Sequence, residues 1–264
     1  MFTLFLNCKI KDFKRIFILD CKVINSFVTI VLYNRNFNNM CTVTYLPLQK
    51  DQFILTSNRD VGYARQKALA PIKYIEDGVE LYYPKDGKAG GTWIGTSSKK
   101  RTLCLLNGGV DNHKPGGSYR SSRGKIVIDL LKCDNIEKKL RTIDLLEIEP
   151  FTLVIVDWQI DLKLLEFVWD GTAGHLKNLP QEMYIWSSST LFTEEMKKLR
   201  KKWFSTWKEN NPIDQESILE FHHKAGIGDP NVDVILKRKI VGTVSITSVK
   251  KDDSGLQMDY EAIG

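Results

Sequence analysis

CTVTYL, residues 41–46, and QFILTS, residues 52–57, are two β-branched runs separated by PLQKD, residues 47–51. Alternation with a period of two is the pattern of a half-buried strand, and the proline-led break reads as a turn. The stretch therefore predicts an antiparallel hairpin. If the turn centres near Lys50, paired positions add up to 100, and Cys41 lies opposite Arg59 on the same face. A slip of two residues would place Ser57 opposite Cys41 and leave Arg59 diagonal. A guanidinium beside a thiol favours the thiolate. The competing reading makes Cys41 a small buried hydrophobe at a strand start.

Working outward, strands are expected at Val79–Tyr83, Thr92–Ser97 and Arg101–Leu106, joined by the glycine-rich Asp86–Gly91. Asn107-Gly108-Gly109 signals a turn and Asp111–Tyr119 a loop. Helical spacing follows at Ser122–Cys133 and Ile136–Leu146. Phe151–Asp157 and Leu162–Val168 read as a strand pair, and Met183–Trp186 as a further strand. Phe192–Lys208 and Asp214–Lys224 read as helices, and Lys239–Val249 with Leu256–Tyr260 as a closing hairpin. Blocks of strands alternating with blocks of helices imply an α+β fold of mainly antiparallel sheets, with residues 40–264 as a single domain.

Composition separates the first 39 residues from the rest. They lack Gly, Pro, Ala, Glu, Gln, His and Trp, yet hold six of the twelve Phe. Six basic residues against Asp12 and Asp20 give them most of the chain's net charge of +6. The main domain carries little surplus charge and no basic stripe interleaved with aromatics, which argues against nucleic acid as a partner. Charges interrupt every apolar run near the start, so neither a signal peptide nor a membrane span is expected there. Residues 1–39 read as a translated upstream region or a disordered extension, with Met40 as the true start; a targeting segment or a genuine extra helix is the alternative. The five cysteines form no CxxC pair, which argues against a zinc site or disulfide framework and suits a reducing, cytoplasmic setting.

If Met40 starts the mature chain, its removal exposes the α-amine of Cys41. An α-amine has a pKa of roughly 8 and can act as base for its own thiol. Four segments then bear on family. Met40-Cys41 with Ser57-Asn58-Arg59-Asp60, Gly90-Gly91-Thr92-Trp93-Ile94-Gly95, Leu106-Asn107, and Ser122-Arg123-Gly124 occur in an order that resembles the NRDE family, the relatives of transport and Golgi organisation protein 2. The resemblance implies a four-layer αββα sandwich of the N-terminal-nucleophile hydrolase type, similar to the cholylglycine hydrolases. It implies Cys41 as nucleophile, Arg59 beside the thiolate, Asp60 holding the α-amine and the Asn107 amide facing an oxyanion. Asn58, Trp93, Arg123 and Ser188 are the expected binding residues.

Two positions depart from the family pattern. Val61 stands where the motif has Glu, and Ser187-Ser188-Ser189-Thr190 stands where relatives place an Asn, for which Ser188 substitutes only in part. Plainer readings stand beside the functional ones. Arg59 and Asp60 also suit a structural ion pair, Asn107 a turn, and Trp93 a core aromatic. His222-His223 reads as exposed and Lys197–Lys202 as a solvated helix face. No histidine spacing suggests a metal. Two functions follow: a cysteine hydrolase of an amide or thioester in a small acylated substrate, requiring no cofactor, or a non-catalytic carrier of haem, acyl-CoA or lipid in the same cleft.

Overall fold

In the computed structural model, which describes residues 8–13, 16–23, 26–33, 40–109, 119–189 and 192–263, the hairpin forms in the register set by a turn at Lys50. Cys41 is the partner of Arg59, and Thr42 of Asn58. Lys50 itself takes a positive φ of 55° at the tip.

The chain divides into two compact units, Met1–Phe37 and Asn38–Gly264. In the first, β1 (Cys8–Phe13), β2 (Ile16–Val23) and β3 (Ser26–Tyr33) pair antiparallel in that order.

The second unit holds two antiparallel sheets. One has five strands: β4 (Met40–Pro47), β5 (Phe53–Gly62), β13 (Tyr184–Ser187), β14 (Val241–Asp252) and β15 (Gly255–Ala262), in the order β13-β4-β5-β14-β15. The other has seven: β6 (Leu69–Glu76), β7 (Val79–Lys85), β8 (Ile94–Ser97), β9 (Arg101–Asn107), β10 (Phe151–Asp157), β11 (Lys163–Trp169) and β12 (Gly174–Leu179). Their order is β12-β11-β10-β9-β8-β7-β6.

Side-chain alternation assigns the layers. On β4 and β5, Cys41, Val43, Tyr45, Phe53 and Leu55 join the core between the sheets, with Cys104 and Val154 from the other sheet. The intervening Leu46 and Ile54 face outward into a second core, with Phe204 and Trp207 of α3 (Glu194–Asn210) and Ile218 and Phe221 of α4 (Gln215–Lys224). On the far side, Ile126, Val127, Leu130 and Leu131 of α1 (Arg123–Lys132) bury against the seven-stranded sheet, beside the short α2 (Ile136–Thr142). The layers run helix, sheet, sheet, helix, as expected.

Within the second unit, the strands that sequence reading missed, β6 and β12, are both edges of the seven-stranded sheet. Edge strands need no apolar face, and they carry proline and charge that deter pairing with other chains. β6 contains Pro71 and leaves Ile75 exposed. Helix α2 ends at Thr142, four residues earlier than expected, because Ile143 is extended as its C-cap.

Two outward readings also fail. His222 is fully buried, and so is Arg200 within the lysine-rich run of α3. Asn58 faces α4, where its Nδ2 donates to the carbonyls of His222 and Val234, each at 3.2 Å. Its Oδ1 is then the acceptor for His222 Nδ1–H at 2.6 Å, and His222 Nε2 meets the Thr44 hydroxyl at 2.8 Å. Burial lowers the His222 pKa to about 3, so the ring is neutral.

Helix α1 is held at both ends. Arg101, fully buried, donates to the carbonyls of Leu130, Cys133 and Asp134 at its C-terminal end and to Asp157 Oδ2 at 3.1 Å. At the N-terminal end Gly91 and Gly124 touch backbone to backbone, and a Cβ on Gly91 would lie 2.4 Å from the Gly124 carbonyl carbon. Gly91→Ala is expected to destabilise the fold by about 1–3 kcal/mol through overpacking, read from the urea midpoint. An unchanged midpoint would show that α1 can yield.

Candidate active site

Cys41 sits on the inner face of β4, 3% exposed, with the Arg59 guanidinium on the neighbouring strand. Arg59 does not pair with Asp60. Its Nη2 donates to Asp86, in the connection before the GGTW segment, and its guanidinium lies 4.1 Å from the centre of the Trp93 ring. Asp86 is a residue that sequence reading passed over as part of a glycine-rich turn. It also accepts from Arg65 Nε at 2.7 Å and Nη2 at 2.9 Å, and from the Ala89 N–H at 2.7 Å. Burial works to raise the Asp86 carboxyl, but the bonds from Arg65 and Ala89 outweigh it and hold the group below the ordinary carboxylate range. The signal available in sequence was an aspartate preceding glycines, two of which, Gly90 and Gly91, let the backbone fold back on it: Gly90 N–H donates to the Asp86 carbonyl at 2.9 Å, and Asp86 N–H to the Gly91 carbonyl at 2.8 Å.

Burial carries the Cys41 thiol well above the ordinary range, with Cys104 and Asp60 adding to the rise. Arg59 and the Asp60 backbone N–H pull the other way and lose. The expectation that Arg59 would make Cys41 a thiolate is therefore not met in the intact chain. Asp86 offsets the guanidinium charge, and desolvation of the sulfur dominates. Cys104, on the facing sheet, is likewise pushed up to about 12 by burial.

Asp60 lies on the opposite face of the sheet from Cys41. Thr243 Oγ1 donates to its Oδ1 at 2.6 Å, whereas Oδ2 is buried without a hydrogen-bond partner among the described residues. Burial raises this carboxyl to about 6, against the pull of Thr243 and Arg200. Arg200 donates to Thr42 Oγ1 and to the carbonyls of Val232 and Asp233 and stacks 3.8 Å from the centre of Phe192, so it reaches Asp60 only through space. Asp60 thus touches the thiol through its backbone, while its side chain stands level with Met40, its partner in the ladder.

Ser188 joins three elements. Its N–H donates to the Cys41 carbonyl at 3.1 Å and its hydroxyl to the Asn107 carbonyl. The loop expected to complete an oxyanion hole is beside Cys41, but the Ser188 hydroxyl is engaged as a donor elsewhere. Asn107 meets Ser188 through its backbone. Arg123 approaches from α1, pairing with Glu149 Oε2 at 3.1 Å and the Pro150 carbonyl at 3.0 Å, within electrostatic reach of Cys41. Of the expected residues, Cys41, Arg59, Trp93, Asn107, Arg123 and Ser188 gather on this side; Asn58 and the Asp60 side chain do not. The expected loop Asp111–Tyr119 lies, apart from Tyr119, outside the described residues. A cavity of about 870 Å³ lies along α1, lined by Asp77, Lys99, Ile126 and Lys132 among others, and does not include Cys41.

The family's sequence pattern, described as Transport and Golgi organisation 2, matches residues 40–227. The chain belongs to that family. Its match begins where the composition changes and covers both the Cys41–Arg59 hairpin and the GGTW connection. No curated protein matches by sequence. Among solved structures, the Caenorhabditis elegans N-acylethanolamine-hydrolyzing acid amidase ortholog is similar with a TM-score of 0.54 at 14% identity, over 79% of this chain and 92% of that one. Penicillin V acylase from Agrobacterium tumefaciens gives 0.46 at 11% identity, over 84% and 86%. The fold is that of the N-terminal-nucleophile hydrolases.

Asp60 gives a pH test. Its folded value, about 6, lies above its ordinary 3.8, so the charged form is disfavoured by folding. Stability is lost as pH rises from about 4 to 6, where the unfolded chain ionises first, and the loss persists above 6. Asp60→Asn is expected to behave like wild type near pH 4 and to be more stable by about 3 kcal/mol at pH 7 in the uncleaved chain. Urea titrations at both pH values check this; a pH-independent difference would contradict it.

Proposed function

We propose that the mature protein is a cysteine hydrolase of an amide or thioester in a small acylated substrate, with its N-terminus at Cys41. The observation that carries this reading is the orphaned Oδ2 of Asp60, buried at the ladder position opposite Met40. A buried carboxylate with no cation bonded to it is costly, and Arg200 acts on Asp60 only through space. A Cys41 α-ammonium, freed by loss of the preceding residues, would begin the strand next to that oxygen. Unlike a side chain, a chain terminus lies in the sheet plane and can be reached from either face.

The site also lacks another base: among the described residues no His, Asp or Glu side chain is hydrogen-bonded to the Cys41 sulfur. An α-amine held by Asp60 supplies one, taking the thiol proton as sulfur attacks the carbonyl and returning it to the leaving group. Water then releases the acid from the acyl-enzyme. Asn107 is the candidate oxyanion donor. That the amidase of similar fold hydrolyses N-acylethanolamines fits this class of reaction.

The second reading, a non-catalytic carrier, is favoured by the buried thiol and by the engaged Ser188 hydroxyl. Haem bound through Cys41 would need the thiolate that burial opposes, so Cys41 fits it poorly; acyl-CoA or another acyl lipid needs no such ligand. Intact-mass analysis of protein from its native host is expected to show a chain starting at Cys41. Turnover of acyl amides or thioesters by that form is expected to fall at least about 10³-fold in Cys41→Ala and about 10²–10³-fold in Asn107→Ala. A chain that keeps Met40, with no turnover but retained acyl-ligand binding, favours the carrier.

A further inference from the structure

Arg65 sits at the mouth of the arginine cluster and was singled out by neither motif nor family resemblance. Arg59 and Arg65 share one carboxylate, Asp86, while Arg123 has Glu149. Three guanidiniums thus meet two carboxylates among the described residues. The depth of the three differs: side-chain exposure is 4% for Arg59, 11% for Arg123 and 23% for Arg65. Arg65 is the one a solute meets first.

Its geometry is that of a half-used fork. The bond to Asp86 is bidentate through Nε and Nη2, which occupies one edge of the planar group. The other edge keeps N–H donors able to grip a second carboxylate, and no acceptor besides Asp86 is bonded to the Arg65 guanidinium among the described residues. A second donor nearby also lacks an acceptor. Trp93, whose ring carries Arg59 on its face, is 5% exposed, and its indole N–H has no partner among the described residues. Buried donors of this kind are normally satisfied. Surplus positive charge and an open guanidinium edge call for an anionic acceptor, and the orphan Trp93 N–H in the same cluster leaves a further donor unfilled.

We propose that the Cys41 site selects acyl ligands bearing a carboxylate next to the reacting amide, and that Arg65 is the residue that determines this preference. The proposal rests on reading this side of the sandwich as the ligand site, but not on turnover. Arg65 touches the ligand's charge and not the reacting atoms, so its loss weakens selection between ligands more than the chemistry itself.

The probe pair is N-dodecanoylglycine and N-dodecanoylethanolamine, which share chain length and amide and differ in the carboxylate. Both are titrated calorimetrically into the full chain as wild type, Cys41→Ala, Arg65→Met and Arg65→Lys, and both are assayed for hydrolysis by wild type and the Arg65 variants matured to an N-terminal Cys41. The glycine conjugate is expected to bind at least tenfold more tightly to wild type and Cys41→Ala. Arg65→Met is expected to bring the ratio close to one, and Arg65→Lys to keep part of it. Where hydrolysis occurs, the same ratio is expected in kcat/KM. Equal binding of the two probes, no binding of either, or an unchanged ratio in Arg65→Met overturns the proposal. Preference for the anion without any hydrolysis supports it while removing the hydrolase reading. Hydrolysis without preference does the reverse.

Discussion

The antiparallel register of β4 and β5 is the constraint on which the site depends. Because side chains alternate along a strand, fixing one pair fixes the face of every other residue in the hairpin. With Cys41 opposite Arg59, the thiol and guanidinium enter the space between the sheets, whereas Thr42, Asn58 and Asp60 are sent to the helical layer. A one-residue slip would reverse both sets and place the cysteine among Phe204, Trp207 and Phe221. The positive φ of Lys50 and the apolar residues on both faces hold the pairing in place.

The same alternation explains an apparent contradiction in the motif. Arg59 and Asp60 are adjacent in sequence and of opposite charge, yet they serve opposite faces. Each needs a partner of its own. Arg59 finds one in Asp86, brought from a connection 27 residues away by the turn at Gly90-Gly91. Asp60 finds a hydrogen bond from Thr243 and, among the described residues, cations that act on it only through space. One charge is compensated and the other is left partly bare, so the electrostatic burden of the hairpin falls on the helical side.

Much of this was legible in the sequence. Strand alternation and helix periodicity identified nearly every element that contributes to the core, and the hairpin arithmetic gave the Cys41–Arg59 pairing directly. The missing pieces have physical reasons. β6 and β12 lie at edges, where burial does not impose a pattern. His222 and Arg200 look like surface residues because their neighbours are polar. They are buried on partners that only the folded chain brings near: His222 between Asn58 and Thr44, and the Arg200 terminal nitrogens on Thr42 and the carbonyls of Val232 and Asp233. Asp86 escaped notice because a charge beside glycines resembles any surface turn. What reveals it is the meeting of two arginines, which periodicity cannot report.

Arg101 carries a consequence for how this architecture tolerates change. One side chain closes off the carboxyl end of α1 by donating to the carbonyls of Leu130, its C-cap Cys133 and the following Asp134, a task that elsewhere falls to a glycine cap or to water. Gly91 and Gly124 lock the other end at backbone contact. The helix therefore behaves as a beam fixed at both supports: length added within it has nowhere to go, and a residue inserted between Gly124 and Lys132 would have to break one support or the other. Variation in this layer is confined to the outward face of the helix, with its span held constant by the sheet beneath.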